Sequence, residues 1–204
     1  MGRIERYNSL TAIVGVILSL AGLVVLVVLA SKQGNPWKIV SFSIYASSLL
    51  LMYIFSSLYH SLSGKIKTLF GHFDHLSIYL LIAGTYTPLA LVVLEGAWGW
   101  SIFGVVWGLA VAGILYESLA PAGKRIIPVV IYLVMGWSIM AALSPLMLKL
   151  STEGFYWLFT GGLFYSLGII FYALGDRIPI MHVVWHLFVL AGSICHFILI
   201  YNLL

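Results

Sequence analysis

Two histidines four positions apart open the last apolar stretch of the chain, in the sequence His182-Val-Val-Trp-His186. Residues at this spacing lie on one face of an α-helix, one turn apart, so both imidazoles would face the same neighbours. Ionisable groups inside a membrane are energetically costly unless they have partners, and they usually mark a function. The pair therefore predicts a functional site that other segments of the chain complete.

The composition around this pair is that of a membrane protein. Of the 204 residues, 62% are hydrophobic and 8% are charged, whereas soluble proteins average about 25% charged residues. Apolar segments of membrane-crossing length are predicted at roughly 9–31, 38–62, 75–94, 99–119, 126–147, 155–174 and 179–203. The first is too long for the apolar core of a signal peptide, so we expect it to stay as a transmembrane helix. We predict an all-α, polytopic membrane protein with seven transmembrane helices in a single membrane domain over residues 1–204.

The distribution of Lys and Arg predicts the orientation of these segments. They occur singly or in pairs between apolar runs, a pattern that does not indicate a nucleic-acid partner. If the segments alternate in direction, seven basic residues lie on the side of the N-terminus (Arg3, Arg6, Lys65, Lys67, Lys124, Arg125, Arg177) and three lie on the other (Lys32, Lys38, Lys149). Because Lys and Arg are enriched in cytoplasmic loops, we expect the N-terminus inside and the C-terminus outside.

With that topology, polar residues of three segments fall at one depth near the inner leaflet. His60 ends the second segment, Asp74 precedes the third, and His182 and His186 open the seventh. Three imidazoles supply the protein ligands of a catalytic zinc site, whose fourth position is left for water or substrate. Zinc lowers the pKa of its water to about 7, and Asp74 could accept that proton. Ser56, one turn before His60, could orient these groups or contact a developing oxyanion.

Structural roles compete with the catalytic ones at each position. His60 could be an interfacial hydrogen-bonding residue, and Asp74 could cap the third helix at its N-terminus. His72 and His75 are expected to be solvated in a loop or helix cap. Glu117 is expected at the membrane interface.

His196 raises the question of haem. It lies ten residues after His186, about 15 Å along a helix, too far to share a metal, so an interhelical hydrogen bond is its expected role. Its fourteen-residue spacing from His182 could hold two haems, but the matching position before His60 is Ala46. A single haem between His60 and the seventh segment stays open, although it would leave one histidine of the pair without a role.

Four motifs give the chain a family resemblance. They are Glu5-Arg-Tyr-Asn8-Ser-Leu-Thr11, Ser56-Ser-Leu-Tyr-His60, Phe73-Asp74-His75-Leu-Ser-Ile-Tyr with Gly84-Thr-Tyr-Thr-Pro88, and His182-Val-Val-Trp-His186. Together they resemble the hemolysin III family, the bacterial branch of the progestin and adiponectin receptor (PAQR) membrane proteins, which look like distant relatives of the alkaline ceramidases. The resemblance spans residues 5 to 196.

The resemblance implies roles for individual residues. His60, His182 and His186 become zinc ligands, Asp74 the carboxylate that holds the zinc water, and Ser56 the nearby hydroxyl. Glu5 and Asn8 become structural residues at the mouth of the site. With almost no residues before its first segment, the chain is not expected to bind an extracellular protein hormone.

Two classes of function follow from these residues and their resemblance. The first is a Zn²⁺-dependent hydrolase in the bacterial plasma membrane that cleaves a lipid amide or ester, ceramidase-like, with a membrane lipid or fatty-acyl substrate. The second is a non-enzymatic protein of membrane homeostasis, or a membrane-perturbing hemolysin, in which zinc only joins helices. No oligomeric state is predicted.

Overall fold

Seven long helices make up the part of the protein that the structure describes. A computed structural model describes residues 2–119 and 125–204, and this part of the chain contains no strand. Its membrane-length helices are α1 Arg3–Gln33, α2 Pro36–Ser61, α3 Gly64–Leu94, α4 Gly96–Leu119, α5 Ile126–Lys149, α6 Thr152–Gly175 and α7 Ile180–Tyr201. The predicted all-α class with seven transmembrane helices is confirmed. The connection between α4 and α5, which includes Lys124, lies outside the described residues.

Local signals at the helix ends explain the short turns between neighbouring helices. Gly34 ends α1 in the left-handed conformation, at φ 69°, and its N–H donates to the Ser31 carbonyl. The Asn35 side chain then accepts hydrogen bonds from the N–H groups of Trp37 and Lys38 and caps α2, whose first residue is a proline. Such tight turns make successive helices antiparallel neighbours.

The start of α3 differs from the sequence prediction. The helix begins at Gly64, ahead of the predicted position 75, and Ser63 is its N-cap residue. Asp74 therefore lies well inside α3, and the expectation that it caps this helix is wrong. The predicted apolar segment omits the early part of α3, because this part contains Lys65, Lys67 and Asp74. Backbone hydrogen bonds nevertheless continue the helix through these residues, regardless of their polarity.

Two prolines change the helix geometry within a span. After Pro88, α3 continues as a π-helix over Leu89–Leu94. In α5, a 3₁₀ segment, Ser138–Ala142, separates two α-helical parts, and Pro145 lies in the first turn of the second part. A proline lacks the N–H that would bond the preceding turn. Before Pro145 that turn is the 3₁₀ segment, whereas at Pro88 the irregular part follows the proline.

The helices alternate in direction and place the site at one end of the bundle. The Lys38 Nζ at the start of α2 donates to the carbonyl of Leu204 at 2.9 Å, so the C-terminus lies at the end of the bundle opposite the N-terminus. The end of α2 and the starts of α1, α3 and α7 consequently meet at the other end. Large apolar side chains such as Ile17, Val105 and Ile170 point outward, as expected for surfaces that face lipid.

Candidate metal centre

The structure brings the three predicted histidines together. His60 comes from the last turn of α2, and His182 and His186 come from the first turns of α7. Their ring centroids are 5.3 Å (His60–His182), 5.0 Å (His60–His186) and 5.0 Å (His182–His186) apart. One ring nitrogen from each lies within 4.8 Å of the others.

The outward nitrogens of two of these histidines contact helix α1. The Nδ1 of His60 lies 2.7 Å from the Glu5 Oε2, and the Nδ1 of His186 lies 3.0 Å from the Thr11 Oγ1. The Nε2 of His60 is buried and has no hydrogen-bond partner within residues 2–119 and 125–204. A buried polar atom without a partner is costly and calls for an explanation.

A metal ion fits this arrangement. Neutral imidazoles are ligands that zinc prefers, and three of them leave one coordination position open. A metal placed among the three nitrogens would also supply the missing partner of the His60 Nε2. The three rings face one another directly, which leaves no space for a porphyrin between His60 and α7.

Asp74 and Ser56 are the other two predicted site residues. Ser56 is buried one turn before His60 on α2, and Asp74 lies on α3, the helix that packs against α2. Asp74 is not a member of the group of ligand atoms formed by the histidines. Asp74 therefore adds no ligand to the three histidines.

The residues at the mouth of the site differ in their contacts. Glu5 bonds His60 directly and also pairs with the Lys67 Nζ at 2.7 Å, so it joins α1, α2 and α3. Asn8 is buried on the same helix, and its Oδ1 has no partner in the described part of the chain. Motif resemblance assigned no role to Thr11. The sequence feature that could have indicated it is the spacing of Glu5, Asn8 and Thr11, which are three residues apart and so lie on one side of α1.

An ionic cluster near the site was not predicted. Glu117 of α4 pairs with Arg125 at 2.6 Å, with only 7% of the glutamate side chain exposed. Arg125 also contacts the Nδ1 of His75, and the Tyr132 hydroxyl donates to the backbone carbonyl of His75 at 3.1 Å. Glu117 is therefore not a simple interfacial charge, and His75 is neither in a loop nor at a cap.

His196 lies apart from the three-histidine cluster, as expected. Its Nε2 lies 3.2 Å from the Leu158 carbonyl of α6, the predicted interhelical contact. A Cβ added to Gly161 would lie 2.3 Å from the His196 ring, so the two helices pack directly at this point. No space remains there for a haem.

An apolar cavity begins at the depth of the site and runs between α3, α5, α6 and α7. The cavity has a volume of about 130 Å³. Ile78, one turn beyond Asp74, and Trp185, between the two histidines of α7, line the near part, and Leu146 and Phe155 line the far part. The lining, rather than the volume, suits an apolar ligand, because nearly all of these side chains are hydrocarbon or aromatic.

Fold and site together define a class: a polytopic membrane protein with a partly buried three-histidine cluster at one end of a seven-helix bundle. The family model described as "Haemolysin-III related" matches residues 3–197. The chain therefore belongs to the haemolysin III family, and it is a multi-pass protein of the cell membrane.

Three relatives show the range of this similarity. Hemolysin-3 of Bacillus cereus is 42% identical over 190 residues, 93% of this chain and 86% of that protein. The Hemolysin-3 homolog of Bacillus subtilis (strain 168) is 43% identical over 194 residues, 95% and 91% of the two chains. The human monocyte to macrophage differentiation factor is 28% identical over 174 residues, 82% and 72%. The predicted membership of the hemolysin III branch of the PAQR proteins is confirmed.

Proposed function

We propose that this protein is a zinc-dependent hydrolase that cleaves an amide or ester of a long-chain acid within the membrane. The observation that carries the proposal is the convergence of three imidazoles, one from α2 and two from α7, into a group that could hold a metal ion. His60, His182 and His186 would hold the metal. When bound, zinc supplies Lewis acidity and lowers the pKa of water to about 7.

Asp74 has the chemistry of a general base and lies on α3, the neighbour of the helix that carries His60. Its carboxylate takes a proton from the attacking water as the water oxygen bonds to the carbonyl carbon of the substrate. The carbon–nitrogen or carbon–oxygen bond to the leaving group then breaks, and Asp74 returns the proton to the departing amine or alcohol. Ser56 keeps the carboxylate oriented through its hydroxyl.

The apolar cavity supports a fatty-acyl substrate. Its lining is almost entirely hydrocarbon and aromatic, and it starts one turn from Asp74. An acyl chain in the cavity would leave its carbonyl at the depth of the histidines. With the N-terminus inside, that depth is the headgroup boundary of the inner leaflet, where the amide or ester bond of a membrane lipid lies.

Metal content tests the metal site. We expect about one zinc per chain in the detergent-purified protein by inductively coupled plasma mass spectrometry, and much less in His186→Ala. His72→Ala is the matched control, because His72 lies on α3 outside the cluster, and it should keep its zinc. A wild-type protein without stoichiometric metal under chelator-free handling would refute the metal site.

Turnover of a lipid amide tests the hydrolase. Asp74→Asn should keep its zinc and lose about 100-fold or more of its rate, the range for loss of a general base. Release of the fatty acid is measured by mass spectrometry. Hydrolysis by Asp74→Asn at the wild-type rate would contradict the role of Asp74.

A non-enzymatic function is the second candidate, and two observations favour it. Two relatives are named for hemolysis, and the histidines join α2 to α7, so a metal there would also hold the helices together. In this case, leakage of dye from liposomes containing the protein should persist in His186→Ala. Lipid hydrolysis that disappears together with the zinc favours the hydrolase instead.

A further inference from the structure

Helix α1 supplies a hydrogen-bonding partner to two of the three histidines. Glu5 contacts His60 of α2, and Thr11 contacts His186 of α7, in both cases at Nδ1. Both contacts lie on the outward side of the imidazole cluster. The nitrogens of His60 and His186 that remain to face the centre of the cluster are therefore their Nε2 atoms.

The chemistry of Glu5 determines which nitrogen of His60 carries the proton. A neutral imidazole has one N–H and one lone pair, and a carboxylate can only accept. At 2.7 Å from the Glu5 Oε2, the Nδ1 of His60 must therefore be the donor. The lone pair is then on Nε2, the buried atom that lacks a partner among the described residues.

Thr11 has the same effect on His186 through its own hydrogen bond. The Thr11 hydroxyl has a single hydrogen, and two carbonyls of its own helix lie within reach of it, Asn8 at 2.9 Å and Tyr7 at 3.1 Å. With the hydrogen on either carbonyl, the Oγ1 accepts from the Nδ1 of His186, 3.0 Å away. His186 consequently also presents the lone pair of its Nε2.

We propose that Glu5 and Thr11 are positioning residues that fix His60 and His186 as Nδ1–H tautomers and thereby set the affinity of the cluster for a divalent metal. The proposal rests on the metal site proposed above. Hydrogen-bond partners of metal-binding histidines typically change metal affinity about 10- to 100-fold when they are removed. The pairing of Glu5 with Lys67 anchors the carboxylate to α3 and so restricts its movement.

Zinc titration of the full-length, metal-free protein in detergent tests the effect on affinity. We expect Glu5→Gln to raise the Kd for Zn²⁺ about 10- to 100-fold, measured by competition with a fluorescent chelator. Glu95→Gln is the matched control, because this glutamate is exposed and lies in the turn between α3 and α4. It should leave the Kd unchanged.

Two substitutions at Thr11 separate the hydroxyl from the shape of the side chain. Thr11→Val keeps the shape, removes the hydroxyl and should weaken zinc binding, whereas Thr11→Ser keeps the hydroxyl and should restore it. If the wild type binds zinc and both Glu5→Gln and Thr11→Val bind it equally tightly, the positioning role is overturned while the metal site stands. If the wild type binds no zinc, the metal site itself fails.

The tautomers can be measured without any metal. In metal-free protein labelled with ¹⁵N-histidine, the signals that disappear in His60→Ala should have the nitrogen shifts of an Nδ1–H, Nε2-lone-pair ring. Glu5→Gln should shift them toward a mixture of tautomers. An Nε2–H ring at His60 in the wild type would overturn the proposal whatever the zinc titration shows.

Discussion

At the scale of single residues, the partner of each buried polar group determines what that group can do. Glu5 accepts a hydrogen bond from the Nδ1 of His60, so the lone pair of this imidazole is on its Nε2. Arg125 supplies an ion-pair partner to Glu117 in a largely buried position. The two glutamates look alike in the sequence, because each is a single acid at the end of an apolar segment, and only their neighbours separate their roles.

Loss of the Glu117 charge should destabilise the protein. Glu117→Gln would leave Arg125 without its carboxylate, and removing one partner of a buried pair costs about 3–5 kcal/mol. Because 23% of the Arg125 side chain is exposed, we expect the lower end of that range. Thermal unfolding in detergent measures the effect.

Glu153→Gln provides the comparison for this experiment. Glu153 is exposed at the start of α6, so the same chemical change should alter the Tm little. Equal Tm values for Glu117→Gln and the wild type would show that the pair does not stabilise the fold.

At the scale of helices, close packing requires small residues at particular positions. Gly113 of α4 faces Tyr79 of α3, which is fully buried. A Cβ at position 113 would lie 2.2 Å from the Tyr79 ring, which therefore has to move. Small residues at such contacts allow membrane helices to approach closely.

Alanine substitutions on α4 test this contact. Gly113→Ala should lower the stability by about 1–3 kcal/mol through overpacking, seen as a lower Tm. Gly108→Ala on the same helix meets no atom within 4 Å and should be neutral or slightly stabilising, since alanine favours a helix. Identical Tm values for the two variants would contradict direct packing of α4 on Tyr79.

At the scale of the whole molecule, the orientation in the membrane determines which leaflet the site meets. Because the helices are antiparallel, successive turns lie at opposite ends of the bundle. The distribution of Lys and Arg predicts which end is inside. The exposed residues Ser63, between α2 and α3, and Thr152, at the start of α6, lie at opposite ends.

Thiol labelling of intact cells tests the orientation. In a Cys195→Ala background, which removes the single native cysteine, a membrane-impermeant maleimide should label Thr152→Cys and not Ser63→Cys. Both should react after the cells are opened. Labelling of Ser63→Cys alone in intact cells would reverse the predicted topology and place the histidines at the outer leaflet.

The sequence alone determined the seven helices and the common depth of the histidines. Both depend on local properties: a membrane requires every backbone group to be bonded within a helix, so apolar segments of sufficient length become helices. Alternation of direction then places His60, His182 and His186 at one end of the bundle. The sequence also showed that Ser56 and His60 lie one turn apart on the same helix.

Only the tertiary structure decided which side chains meet at that depth. Glu5 and His60 are 55 residues apart, and Thr11 and His186 are 175 apart. Such contacts depend on how each helix is rotated about its axis. A membrane helix is apolar on the side that faces lipid and on the side that faces other helices, so the sequence has little periodicity from which to predict that rotation. The sequence also did not predict that α3 begins at Gly64. Lys67 is charged and was therefore left out of the predicted apolar segment, but in the folded protein it lies in α3 and pairs with Glu5 of α1.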